Sequence, residues 1–226
     1  MPPGLKWRRA AVQFVAAAAC SAALLGATAG RSGAAPAPVK VVALGDSLTA
    51  GYGLSEKDGF VPRLQAALAA KGIAATVQNA GVSGDTASDG LARLDWSVPE
   101  GADAVLVELG ANDMLRGIKP EVTRDALERI LRRLTDRHIA VLLCGMRAAP
   151  NLGADYGKAF ARIYSELAAE FGVLLYPFFL DGVAADPSLT QHDGMHPNAA
   201  GVDIIVQRIL PSVEQLIAQA RRQNPP

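Results

Sequence analysis

The sequence is short of several things that particular functions require. Two cysteines in 226 residues, Cys20 and Cys144, exclude a disulfide framework and a cysteine-rich zinc site. Only three histidines are present. A metal held by Asp46, Asp113, Asp193 and His196 would need a second histidine at ligand spacing, and there is none, so no metal is expected. Neither sign of charge is in excess: 22 basic and 22 acidic side chains give a formal net charge of zero, which removes the electrostatic footprint of a nucleic-acid binder. There is no internal repeat and no low-complexity tract. A charged fraction of 19% with ordinary Gly and Pro excludes a disordered, collagen-like or coiled-coil chain. What remains is a half-apolar chain of a length that suits one domain with a sizeable core.

The first thirty residues read as a separate object. Lys6, Arg8 and Arg9 precede an uncharged apolar run from Ala10 to Ala29, which ends in Ala27-Thr28-Ala29. Basic start, apolar middle and A-x-A end predict a secretory signal peptide over 1–29, cleaved near Ala29-Gly30. An uncleaved membrane anchor is the alternative, and the alanine-rich run, only weakly membrane-favouring, argues against it. Arg8-Arg9 is poorly flanked for a twin-arginine signal, and the apolar run continues past Cys20, against a lipoprotein cut there. Residues 30–38 read as a flexible lead-in, 39–220 as the folded domain and 221–226 as a disordered tail. Without Lys6, Arg8 and Arg9 the mature chain has 19 basic against 22 acidic residues, a net charge of −3.

Beyond Pro38, strand-like and helix-like segments alternate. Strands are expected at 39–44, 75–78, 104–109, 139–144 and 173–176, each a short apolar run. Helices are expected at 60–70, from Pro120 to about Arg137, over 154–171, and from Pro197 to about Ala220 with Pro211 as a bend site. Val122, Ala126, Leu127, Ile130, Leu131 and Leu134 form the apolar stripe of the second of these. The pattern predicts a three-layer α/β domain with a parallel sheet.

In such a sheet, chemistry sits beyond the carboxyl ends of the strands. After the first strand comes Gly45-Asp46-Ser47-Leu48-Thr49, a tight turn that sets Ser47 at a helix N-terminus. After the second comes Asn79-Ala80-Gly81-Val82-Ser83-Gly84, where the backbone N–H of Gly81 can approach a ligand oxygen closely. After the third comes Gly110-Ala111-Asn112-Asp113, where Asn112 offers a side-chain amide. Before the last helix comes Asp193-Gly194-Met195-His196-Pro197-Asn198. Gly194 permits a sharp turn, so the Asp193 carboxylate can fold toward one nitrogen of His196 and leave the other facing Ser47. Nucleophile, base, base-orienter and three oxyanion donors (the Ser47 and Gly81 N–H groups and the Asn112 amide) make a complete acyl-transfer site.

The blocks GDSLTAGYG, NAGVSGDT, GAND and DGMHPN, in this order, resemble those of the SGNH hydrolases, also called GDSL esterases. The resemblance covers Val39 to Ala220 and implies a flavodoxin-like fold with a five-stranded parallel sheet of order 2-1-3-4-5. It implies Ser47 as nucleophile, His196 as general base, Asp193 as its orienter, and Ser47, Gly81 and Asn112 as the oxyanion hole. The run ELGANDMLRG looks most like the bacterial thioesterase I, arylesterase and lysophospholipase group, which is largely periplasmic or secreted. Position 49 is Thr, so the G-x-S-x-G elbow of α/β-hydrolases is absent.

The expected activity is therefore cofactor-free hydrolysis of a small-molecule ester or thioester, with no nucleic-acid partner and no stable membrane insertion of the mature chain. A carbohydrate O-acetyl esterase would use the same site. A non-catalytic flavodoxin-like binding module is the reading from another class, and no GxGxxG or Walker-type run supports it. Met114, Leu115, Ile118, Met195 and Pro177–Leu180 are candidates for the acyl pocket. Asp46 and Asp113 read as braces, His138 as a helix-end cation and Cys144 as a buried small hydrophobe. His192 lacks the acid three residues earlier and the following proline that accompany His196.

Overall fold

The structure, a computed structural model, describes residues 37–224. The predicted signal peptide and most of the lead-in lie outside the described residues. Five short strands build the sheet: β1 (Val39–Gly45), β2 (Ala75–Gly81), β3 (Ala104–Glu108), β4 (Ala140–Cys144) and β5 (Leu174–Tyr176). All neighbours are parallel and the order is β2-β1-β3-β4-β5. Every residue of β3 and β4 is buried, as an unbroken apolar run requires when helices cover both faces. Edge strand β2 is only half-buried, and its polar Gln78 and Asn79 carry the pairing through to Gly81, three residues beyond the expected end.

Helices α1 (Ser47–Ala50), α2 (Phe60–Ala70), α3 (Ala87–Ala92), α4 (Leu94–Ser97), α5 (Ala111–Leu115), α6 (Pro120–Asp136), α7 (Ala154–Phe171) and α8 (Ala199–Gln223) complete the described fold. Helices α2 and α8 pack together on one face of the sheet, and α3, α6 and α7 pack side by side on the other. Crossovers of one hand place them so, because a strand order that steps first one way and then the other sends successive helices to opposite faces.

Three local readings are corrected. Val122 is exposed, and Thr123 takes the inward position on α6, where its hydroxyl donates to buried Asp113 Oδ1 at 2.9 Å. Helix α8 starts at Ala199 instead of Pro197: Asn198 caps it, accepting the Gly201 N–H at 3.0 Å, while Pro197 pairs with Thr190 in an isolated bridge. It then runs unbroken past Pro211 to Gln223, so Arg221–Gln223 are helical and not part of a tail. Helices α3 and α4 have no counterpart in the periodicity, yet a local signal exists. Thr86 and Asp89 form a capping box, each side chain bonding the other's backbone N–H. Among the described residues, no helix is long and apolar enough to cross a membrane.

Candidate active site

The end of β1 passes directly into α1, so Ser47 is the first residue of a one-turn helix. Asp46 caps it, its Oδ1 accepting the Leu48 N–H at 3.0 Å. Gly45 is required by close approach: a Cβ there would overlap Thr49 Oγ1 and lie 2.7 Å from Glu108 Oε2. Beneath the turn, Thr49 Oγ1 donates to Glu108 Oε2 at 2.8 Å, while Glu108 Oε1 has no partner.

His196 comes from the loop ahead of α8. Its Nε2 lies 2.9 Å from Ser47 Oγ and its Nδ1 lies 2.6 Å from Asp193 Oδ2. A carboxylate only accepts, so Nδ1 carries the proton and Nε2 is left as the acceptor facing the serine hydroxyl. Asp193 Oδ1 also takes the N–H groups of Met195 (2.9 Å) and His196 (3.0 Å), a turn that Gly194 closes with φ +67°. Its bond to the imidazole, helped by those two amides, lowers the Asp193 carboxyl to about 2. The ring of Tyr52 covers the imidazole at 4.7 Å between centroids, inclined at 41°.

The oxyanion donors are less simply arranged. No protein acceptor takes the Ser47 N–H among the described residues. Asn112 Nδ2, at the start of α5, donates to Asp46 Oδ2 at 3.1 Å and to the Asp85 carbonyl at 3.0 Å. Gly81 does not fit the part assigned to it. Its N–H already donates to Asn79 Oδ1 at 2.9 Å, and a Cβ would press into the backbone of Ala50, with Cα only 2.8 Å away. Gly81 is a glycine because α1 packs on β2. Two N–H groups in this stretch have no protein acceptor among the described residues, that of exposed Ser83 and that of half-buried Gly84. Gly84 lies one residue before the Asp85 carbonyl that Asn112 touches, in a backbone with φ +90°. That positive φ, not the mere presence of a glycine, distinguishes it, and SGD is a turn sequence that calls for it.

Two more residues organise this edge. Buried Arg93 contacts Asp85 Oδ2 at 2.5 Å and donates to the carbonyls of Gly45 and Ala80, each at 2.8 Å, clamping the ends of β1 and β2. Asp113 accepts the Ala87 N–H at 2.8 Å and the Thr123 hydroxyl, and so braces α3 against α6. His192 is exposed and makes no bond to Ser47; it borders an adjoining open hollow of about 730 Å³ with Gly53, Leu54 and Thr190. Ser47, Asn112 and His196 instead face a cavity of about 400 Å³. Met114, Leu115, Phe178, Leu180 and Met195 line it, whereas Phe179 is buried in the core and Ile118 and Pro177 are not at the cavity wall. Among the described residues, no three His, Cys, Asp or Glu side chains gather as a metal site.

The arrangement can remove a proton from a serine hydroxyl and hold a developing negative charge beside it. Residues 43–204 match the model of the GDSL-like lipase/acylhydrolase family. The chain is 38% identical over 178 residues to esterase TesA of Pseudomonas aeruginosa, covering 78% of this chain and 89% of that protein. It is 39% identical over 175 residues to thioesterase 1/protease 1/lysophospholipase L1 of Escherichia coli K12, covering 77% and 83%. Among solved structures it is similar to AlinE4, an SGNH-hydrolase family esterase, with 43% identity and a TM-score of 0.68 over 80% of this chain and 98% of that one.

Proposed function

The chain belongs to the GDSL-like lipase/acylhydrolase family, and from that premise we propose that it is a serine hydrolase of small carboxylic esters and thioesters. His196 Nε2 accepts the Ser47 proton as Oγ attacks the acyl carbon. The oxyanion takes the N–H groups of Ser47 and Gly84 and one hydrogen of Asn112 Nδ2, drawn from its present acceptors. His196 then returns the proton to the departing alkoxide, phenolate or thiolate, leaving the acyl group on Ser47. A water deprotonated by the same nitrogen attacks the ester, and Ser47 leaves with the proton that His196 gives back. Asp193 stays ionised throughout and holds the ring in the tautomer this needs. No cofactor enters any step.

The contact that carries this reading is Ser47 Oγ to His196 Nε2 at 2.9 Å, continued to Asp193 at 2.6 Å. Wild type should hydrolyse p-nitrophenyl esters and be labelled on Ser47 by a fluorophosphonate. Ser47→Ala should lose both, with kcat down by at least about 10³-fold. Activity retained in that variant would overturn the mechanism.

The enzyme acts outside the cytoplasm in this reading. The basic start, the uncharged run Ala10–Ala29 and the A-x-A end support export with cleavage near Ala29. An N-terminus read from protein secreted by the native host tests the site of cleavage.

A further inference from the structure

The cavity beside Ser47 is apolar along most of its wall, and apart from His196 it carries one ionisable side chain, Arg147. Arg147 follows β4 by three residues, and its guanidinium lies over the Phe178 ring, 4.6 Å from the centroid. Phe178 follows β5 by two residues, so the pair stands above neighbouring strands at the end of the cavity away from β1. Arg147 is exposed, and among the described residues no carboxylate or carbonyl accepts from it. Most other arginines of the described chain are engaged: Arg93 with Asp85, Arg124 with Glu166 and Glu170, Arg116 with the Gly84 carbonyl.

A guanidinium stacked on an aromatic face loses little freedom when it binds, and it keeps the edge N–H groups of its planar fork directed outward. Such a fork matches the paired oxygens of a carboxylate or phosphate. Apolar walls make the match stronger, since they hold water away from one side of the ion pair. In the order β1-β3-β4, Arg147 follows a strand two places from the one that leads into Ser47, and both residues line the same cavity.

Resting on the esterase reading above, we propose that Arg147 is a specificity-determining residue that selects esters bearing an anionic oxygen group several bonds from the scissile carbonyl. That group is either a carboxylate at the far end of the acyl chain or a phosphate on the leaving alcohol. Both present the same oxygens to the same fork.

Two substrate pairs distinguish the sources. The first is the p-nitrophenyl monoester of suberic acid against p-nitrophenyl octanoate; the second is octanoylglycerol phosphate against octanoylglycerol. In one pair, wild type should favour the anionic member by about tenfold in kcat/KM. The preference should shrink as salt rises, vanish in Arg147→Met and survive in part in Arg147→Lys. The exposed position makes either substitution compatible with folding. Preference in the first pair assigns the acyl side, and in the second the leaving group. Equal ratios in wild type and Arg147→Met for both pairs would overturn the proposal while leaving the esterase reading intact. Failure of wild type on all four esters would instead remove the esterase reading, and this inference with it.

Discussion

Asn112 donates through Nδ2 to Asp46 Oδ2 at 3.1 Å, tying the end of β3 to the residue that precedes Ser47. The same carboxylate caps α1 through Oδ1. One buried side chain thereby sets the relative positions of the serine turn and the amide beside it.

Burial pushes the Asp46 carboxyl up to about 6, against the opposing pull of the Leu48 amide, His196 and Asn112. Glu108, fully buried close by, is also pushed upward, by burial and by Asp46 itself. A carboxyl raised in the folded state stabilises the fold below its unfolded value near 3.8, and that contribution is lost as pH climbs through about 6. Asp46→Asn removes the titration. Its unfolding free energy should gain on wild type by up to about 3 kcal/mol between pH 4 and 7, read from urea midpoints across that range. Its kcat should nevertheless fall by about tenfold. An asparagine has one acceptor oxygen for the two donors that Asp46 now satisfies. A pH-independent difference in stability would refute the assignment.

Asp193 predicts the opposite behaviour on the reacting side. With its carboxyl held near 2 by His196 and two amides, it stays charged through the whole working range. Protonation of the Asp193 carboxyl should therefore add no break to kcat/KM above about pH 3. Asp193→Asn should lower kcat by on the order of 10²–10⁴-fold, because Nδ1 loses the acceptor that fixes the tautomer. An acidic break above that pH that disappears in Asp193→Asn would count against this division of roles.

The two glycines after β2 should separate stability from turnover. Gly81→Ala drives a methyl into the Ala50 backbone, and its melting temperature should drop by an amount matching at least about 2 kcal/mol. At Gly84 the nearest atom to an added Cβ is Arg116 Nη2 at 3.7 Å, so space is available and only the φ of +90° is costly, about 1–2 kcal/mol. Gly84→Ala should fold, keep most of its KM and lose kcat. Alanine keeps the N–H, so unchanged kcat in a Gly84→Ala protein that shows no loss of stability, and has therefore relaxed the turn, would count against an oxyanion donor aimed by it.

Much of this molecule was legible along the chain. The parallel sheet follows from short unbroken apolar runs such as Val105–Val107. The strand-end blocks announce themselves through turn chemistry, which depends on residues two or three apart. Asp193, Gly194 and His196 are such a case: the sharp turn that seats the carboxylate on Nδ1 is a local event. The caps at Asp46 and Asn198 are equally local. Val122 and Thr123 mark the margin of that method, because a helical stripe has edges, and which edge turns inward depends on what the neighbouring helix offers. Here α5 offers Asp113, and a hydroxyl satisfies it where a valine could not.

What no local pattern reveals is which polar group remains free once everything else is paired. Gly81 and Gly84 look alike in sequence. They differ because α1, more than thirty residues earlier in the chain, packs on one of them and Asn79 consumes its N–H. Glu108 reads as the end of a strand until folding places it under Thr49, 59 residues away. Arg93 closes on the carbonyls of two strands, one of them 48 residues distant. Periodicity, capping and turns are near-neighbour effects, so the sequence alone determined the sheet and the order of the residues around its edge. The competition of donors for acceptors is settled by contacts between distant segments. Only the tertiary structure decided which N–H groups remain unpaired and which cation faces the cavity.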